Sequence, residues 1–370
     1  MCGYICIRRA RKDGFYGYIN QLKNVLQPWL TQFKVYDKNL DRTPLIYKDR
    51  RIMLKKKLFI MVVDCFGCLA IVIAKKETTM GGIVMNEDVR QQPIAFVTGS
   101  SSGFGLRTSV ALAREGYRVI AAMRNLAKRE QLEQTATEAR VNDRIEVVQL
   151  DVTDYASTKE VVQDIIKRYG KIDLLINNAG YAVGGFVEDV PIDQWIEQFE
   201  TNFFGMVAVT KAVLPSMRER RSGKIVNISS ISGQVGFPAM GPYVASKFAV
   251  EGFSESLRLE MLRYGVYIVL VEPGSYKTDI WSKALGEVVE IGESPYAKEM
   301  KRILKYVKRA AETAPPPDEV VERIVQIAKK PHPNFRYPIG KGVKTSMHFK
   351  KMIPWKWWER MVTKRLWRGN

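Results

Sequence analysis

Two groups of residues in this chain are spaced to do chemistry. Tyr243 and Lys247 stand four apart in Tyr243-Val-Ala-Ser-Lys247, so on a helix both side chains share one face. A free phenol titrates at about 10. An ammonium one turn away would draw that value toward neutrality and make Tyr243 a usable proton donor or acceptor. Alone the pair is a weak signal, because Tyr-x-x-x-Lys arises by chance in many helices.

The second group is Thr98-Gly99-Ser100-Ser101-Ser102-Gly103-Phe104-Gly105, which follows an apolar strand and opens a helix. Gly99 permits a tight turn, Gly103 lets backbone approach a pyrophosphate, and Gly105 allows close helix–strand packing. With Ser101, Ser102 and Phe104, these glycines read as the phosphate-binding turn of a dinucleotide site, the helix N-terminus facing the anion. The next strand ends in Ala121-Ala122-Met123-Arg124. An NAD site carries a carboxylate there for the ribose 2′-hydroxyl. Met123 takes that place here, and the guanidinium of Arg124 suits a 2′-phosphate. The expected cofactor is therefore NADP (NADPH). Asp151, with Val152 beside it, is expected next to the adenine, and Asn178, Ala179 and Gly180 near the rest of the cofactor.

The elements that must position these residues are legible from Ile94 onward. Strands are expected over Ile94–Thr98, Arg118–Ala122, Ile145–Leu150, Ile172–Ile176, Lys224–Ile228 and Val266–Val271. Helices are expected between them over Phe104–Glu115, Leu126–Ala139, Tyr155–Tyr169, Ile192–Glu219 and Tyr243–Tyr264, with another over Asp318–Lys330 after Ala314-Pro-Pro-Pro317. Strands alternating with helices specify an α/β fold, a Rossmann-type doubly wound parallel sheet. Three segments follow: a basic extension over 1–84, a catalytic domain over 85–345, and a basic, Trp-rich C-terminal helix over 346–370.

Charge is distributed unevenly. The net charge is +19, yet residues 85–328 hold 30 Lys+Arg against 32 Asp+Glu. The excess lies at the ends, 16 against 6 in residues 1–84 and 12 against 1 in residues 329–370. A nucleic-acid enzyme would carry positive charge on its folded domain, so nucleic acid is not an expected partner. All four cysteines lie before residue 85, which fits a cytoplasmic catalytic domain without disulfides. Cys65-Phe-Gly-Cys68 has no histidine nearby, and His332 and His348 are the only histidines, so no metal site is expected.

The four motifs Thr98-Gly-x-x-x-Gly-x-Gly, Asn177-Asn178-Ala179-Gly180, Tyr243-x-x-x-Lys247 and Pro273-Gly274 occur together. In order and spacing the stretch Ile94–Asp279 resembles the short-chain dehydrogenase/reductases. The wider stretch, with Gly185–Val190, Phe248–Leu259 and Glu272–Thr278, looks like a bacterial subgroup similar to the 17β-hydroxysteroid and retinol dehydrogenases. The resemblance implies hydride transfer between NADP(H) and an alcohol or carbonyl group, Tyr243 moving the proton. It implies that Lys247 also holds the nicotinamide ribose, and that Pro273, Gly274 and Thr278 line the cofactor. It assigns Ser230, by its spacing from Tyr243, to polarising the substrate oxygen, although Ser229 and Ser232 are neighbours. It assigns Asn202 to ordering a water in the proton relay. The long helices over 192–219 and 243–264 are implied as a homodimer or homotetramer interface.

Val183, Phe186, Phe237, Met240, Tyr276 and Trp281 fall in the loops that supply substrate contacts in such a fold, and they suggest a lipophilic substrate. Two other readings remain open. A 3-oxoacyl-carrier-protein reductase shares every motif but would need a basic patch, which the near-neutral middle does not offer and the basic C-terminal tail could supply. A non-catalytic NADP-sensing or membrane-scaffold protein has no need of a positioned acid.

The ends read differently. Leu58–Ala74 is a 17-residue apolar run flanked by lysines, at the lower limit of a membrane span, and Asp64 inside it costs about 2.5–3.5 kcal/mol. It is either a weak anchor or translated sequence upstream of a true start at Met85, and the second is preferred. From Asp279 to Ala314 a helical lid is expected. At the C-terminus Trp355, Trp358, Val362 and Leu366 share a helical face, with Lys356, Lys364, Arg365 and Arg368 elsewhere. Such a helix suits the surface of an anionic membrane; closing over the pocket or packing on a partner subunit are equally open.

Overall fold

The computed structural model describes residues 92–278 and 294–367, together with four strands of the N-terminal segment. The chain divides into two compact units, Met1–Val84 and Met85–Asn370. In the first, β1 (Tyr4–Arg8), β2 (Ile52–Met53), β3 (Leu58–Cys65) and β4 (Cys68–Lys75) form an antiparallel sheet in the order β1-β4-β3-β2. The run weighed above as a membrane span is thus the β3–β4 pair, in which Leu58 faces Lys75 and Cys65 faces Cys68. No described helix is long and apolar enough to cross a membrane.

The second unit is a seven-stranded, wholly parallel sheet in the order β11-β10-β9-β8-β5-β6-β7. Its strands are β5 (Ile94–Thr98), β6 (Arg118–Met123), β7 (Ile145–Gln149), β8 (Leu174–Asn177), β9 (Gly223–Ile228), β10 (Val266–Pro273) and β11 (Arg336–Ile339). The helices are α1 (Gly103–Arg114), α2 (Glu130–Glu138), α3 (Tyr155–Tyr169), α4 (Ile192–Phe199), α5 (Gly205–Arg220), α6 (Gly241–Met261), α7 (Ala297–Thr313), α8 (Asp318–Lys329), α9 (Val343–Met352) and α10 (Trp355–Trp367).

Why the sheet sits between two helical layers is visible in β5, where all five residues are buried. Side chains alternate across a strand. Ala95 and Val97 join a cluster with Leu106 and Val110 of α1 and Val320 and Ile324 of α8. Ile94 and Phe96 point the other way, to Val162 and Ile165 of α3, Val209 and Val213 of α5 and Leu257 of α6. A strand covered on both faces reads as a continuous apolar run.

Four departures from the sequence reading bear on the site. The single helix expected over Ile192–Glu219 is interrupted by a π-helical turn, Glu200–Phe204, that carries Asn202. The helix expected from Leu126 begins as a 3-10 turn, Leu126–Lys128, before α2. The seventh strand, β11, was not expected; it adds to β10 with Leu270 opposite Arg336. The expected lid contains α7, while residues 279–293, including Trp281, lie outside the described residues. At the C-terminal end a break at Ile353-Pro354 separates α9 from α10. Trp358 and Val362 are half-buried as their shared face requires, but Trp355 is 61% exposed and donates its indole N–H to Glu359 Oε1 at 2.7 Å. The side chain of Leu366 lies outside the described residues.

Candidate active site

In this strand order the direction of winding reverses between β5 and β8, the switch point where open α/β sheets bind ligands. The glycine turn follows β5 and Asn178-Ala179-Gly180 follows β8, so both meet there. Thr98 ties them: its Oγ1 accepts the backbone N–H groups of Asn178 and Ala179 at 3.0 and 3.1 Å. Asn178 Nδ2 donates back to the carbonyls of Thr98 and Gly99 at 2.9 and 3.0 Å. Asn178, read from the sequence as a cofactor neighbour, is thereby the strut of the turn. Gly99 has φ +69°, and a Cβ there would lie 2.8 Å from the Ala179 Cα. At Gly105 a Cβ would come within 2.3 Å of the Gly99 carbonyl oxygen.

The turn fits a dinucleotide. Ser102 caps α1 in extended backbone without a side-chain bond to the first turn, so the N-terminal N–H groups face outward with their partial charge. A Cβ on Gly103 would stand 3.7 Å from the Thr278 Cβ, which places Thr278 over the turn. Ser101 and Phe104 are half-buried beside it. At the end of β6, Met123 is buried and Arg124 is exposed, so no carboxylate stands where an NAD site has one. Asp151 folds into its own turn, Oδ1 accepting from Thr153 N at 3.0 Å, and Val152 is buried next to it.

On the other side of the switch point, α6 carries Tyr243 and Lys247. Tyr243 is 8% exposed and Lys247 7%. The Lys247 ammonium lies 5.7 Å from the centre of the Tyr243 ring and donates to the Ile228 carbonyl at 2.8 Å. Burial pushes the Tyr243 phenol above its ordinary value, and the Ser230 side chain pulls it partly back. Burial also pushes Lys247 down to about 8, against the charge of Glu251, which raises it. The sequence reading had the lysine lowering the tyrosine; in the structure desolvation outweighs everything else on both groups. Ser230, in extended backbone, accepts from Ser232 N at 3.1 Å, which fixes its loop.

Asn202 reaches the same turn of α6 from the π-helical segment. Its Oδ1 accepts from Tyr181 N at 3.0 Å, and its Nδ2 donates to Tyr181 O at 2.9 Å and Ser246 Oγ at 3.2 Å. π-Helical turns gather at functional sites, and this one lets one side chain brace the loop after β8 against the Tyr243–Lys247 turn. The loop is further held by buried Gln198, which bonds Tyr181 O and Val183 N at 2.9 and 2.8 Å.

The residues expected around the substrate divide. Met240 packs on Ala182 and Tyr243. Val183 is buried, and Phe237 is 43% exposed at the rim. Phe186 stacks on Tyr296 at 4.5 Å and joins Ala239 under Met300 and Ile303 of α7. Tyr276 is redirected: it is 2% exposed, edge-on to Phe104 at 6.0 Å, and donates to Glu319 Oε2 at 2.5 Å. An exposed carboxylate in the first turn of α8 claims its hydroxyl. Sequence reasoning missed the α7 residues, although Met300, Ile303, Leu304 and Val307 carry the apolar helical spacing.

A doubly wound sheet, a glycine turn at its switch point and a buried Tyr–Lys pair across from it define an oxidoreductase of the Rossmann class. The short chain dehydrogenase family model matches residues 93–287, and the chain belongs to that family. It is 50% identical to the uncharacterized oxidoreductase YusZ of Bacillus subtilis (strain 168) over 276 residues, 74% of this chain and 98% of that protein. It is 44% identical to human retinol dehydrogenase 8 over 195 residues, 52% of this chain and 61% of that one. Among solved structures, a single-substitution variant of actinorhodin polyketide ketoreductase with NADPH superposes with a TM-score of 0.59 at 31% identity, covering 69% of this chain and 98% of that one.

Proposed function

We propose that this chain moves a hydride between NADP(H) and a lipophilic alcohol or carbonyl compound, with Tyr243 as acid/base. The observation that carries the reading is the buried Tyr243 phenol, with the Lys247 ammonium 5.7 Å from its ring and the Ser230 side chain acting on its pKa. When bound, the dinucleotide supplies a nicotinamide that gives or takes the hydride. Gly99, Ser101, Ser102, Gly103, Phe104 and Gly105 would hold its pyrophosphate, Arg124 its 2′-phosphate, and Asp151 and Val152 its adenine. Ala179, Gly180, Lys247, Pro273, Gly274 and Thr278 would line its nicotinamide half.

In reduction, Tyr243 gives its proton to the substrate oxygen as negative charge develops there. Burial keeps the phenol loaded at neutral pH. Ser230 donates to the same oxygen and so favours the charged transition state over the ground state. In alcohol oxidation the proton moves the other way. The apolar residues Ala182, Met240, Phe186, Met300 and Ile303 face this side and suit a lipophilic molecule, as does the likeness to a retinol dehydrogenase.

The C-terminal helices are proposed to meet the anionic membrane where such molecules dissolve. Met352 is 82% exposed and Trp357 65%, among Lys351, Lys356, Arg360 and Lys364. The test of the reaction is NADPH oxidation with retinoid, steroid and long-chain carbonyl compounds. Turnover in the wild type that disappears in Tyr243→Phe, with NADPH binding retained, is expected. Equal turnover in the variant would refute the assignment.

A further inference from the structure

Lys247 presents a physical problem: an ammonium ion 7% exposed, with one described hydrogen bond, to a backbone carbonyl. An isolated buried charge neutralises unless a counter-charge is built in. One helical turn on stands Glu251, 4% exposed and given no role above.

Every described contact of its carboxylate leads to the active site or to its supports. Ser229 Oγ donates to Oε1. Gln234 Nε2 donates to Oε2 at 2.9 Å, and Arg336 pairs with the same oxygen. Ser229 and Gln234 flank Ser230 in the loop after β9, and Arg336 opens the edge strand β11. Arg336 also reaches Glu272 Oε1 on β10 at 2.9 Å and Glu255 Oε2 on α6 at 3.1 Å. At Gly233 a Cβ would come within 2.8 Å of both Glu251 Cγ and Ser229 Oγ, so the loop is seated on Glu251 without slack.

We propose that Glu251 is a positioning residue of the active site, which ties the Ser230 loop to the Tyr243–Lys247 helix and supplies the counter-charge that keeps Lys247 an ammonium ion. The inference rests on the reaction proposed above for what Lys247 is used for. The groups facing Glu251 are Lys247 and Glu255 on its own helix, Arg336 on β11 and Glu272 on β10. Lys350 of α9 stands behind Gln234, donating to its carbonyl at 2.6 Å. Glu272, fully buried, has an Oε2 without a hydrogen-bond partner among the described residues. Burial first, then the charge of Glu251, pushes Glu272 up to about 7. The second carboxyl can therefore take up a proton, which leaves Arg336 to Glu251.

Glu251→Gln keeps the shape and removes the charge; Glu251→Asp keeps the charge. With carbon-13-labelled lysine, the Lys247 resonance is identified by its absence in Lys247→Arg and titrated in the full chain. In Glu251→Gln the Lys247 midpoint is expected to fall by about half a pH unit or more, and in Glu251→Asp to stay near wild type. The basic limb of the kcat/KM profile should move with it. An unchanged midpoint in Glu251→Gln overturns the proposal. Should that variant not fold, Glu251→Met, an uncharged side chain of similar length, is titrated instead. The midpoint falls in the same direction; an unchanged midpoint is again fatal. A wild type that reduces none of the carbonyl compounds, together with a midpoint that moves, sinks the reaction and supports the role of Glu251.

Discussion

Replacing Lys247 by Met is expected to abolish turnover while changing how stability depends on pH. In the folded protein Lys247 is held at about 8, against its ordinary 10.5, chiefly by burial. Above about 8 the native state has released a proton that the unfolded chain keeps until 10.5. The unfolded state then binds more protons, so wild-type stability rises with pH across this window. The full difference corresponds to about 3 kcal/mol, and about 2–3 kcal/mol of it should develop between pH 7 and pH 10. At pH 7 the wild type carries the whole desolvation cost. The methionine avoids that cost but orphans the Ile228 carbonyl, a loss of about 1–3 kcal/mol, so the two proteins should be close in stability there. Urea unfolding of both at pH 7, 8, 9 and 10, followed by circular dichroism, measures the difference. The wild type should gain steadily on the variant as pH rises. A difference that stays constant over this range, or moves against the wild type, would refute the reasoning.

Four further outcomes are expected. Tyr243→Phe should lose about 10²–10⁴ in kcat, measured by NADPH oxidation, while NADPH fluorescence titration shows unchanged binding, because only the proton-transferring atom is removed. Arg124→Ala should weaken NADPH by about 1.5–3 kcal/mol and leave NADH nearly unaffected, since only the 2′-phosphate loses charge-assisted bonds; calorimetric titration with both cofactors compares them. Gly105→Ala drives a Cβ to 2.3 Å from the Gly99 carbonyl oxygen. It should cost about 1–3 kcal/mol in thermal unfolding and weaken NADPH further, because the turn must open. In flotation assays the protein should bind vesicles containing phosphatidylglycerol but not phosphatidylcholine alone, and Trp355→Ala/Trp357→Ala or high salt should release it.

What the sequence made legible was whatever depends on neighbours along the chain. Helix α3 begins and ends where expected because its signals are local: Asp154 caps it, accepting from Ser157 N at 2.9 Å, and Gly170 closes it at φ +79°. The Tyr243–Lys247 pair could be read because four residues make one turn. By contrast β11 has four residues, includes Pro338 and is half-buried at the sheet edge, so it lacks the apolar run that marks β5. The π-helical turn at Asn202 leaves no mark in apolar spacing; it shows only once Asn202 is seen gripping Tyr181 and Ser246. Tyr276 looked like a pocket aromatic until Glu319, 43 residues away, claimed its hydroxyl. The same holds for the buried charges around the site. Arg336 lies 85 residues from Glu251 and 64 from Glu272, and in sequence each passes for a solvated residue. Only the parallel pairing of β10 with β11 brings the guanidinium to both carboxylates. The acid/base pair is therefore a property of one helix, whereas the charge environment around it is a property of the assembled sheet.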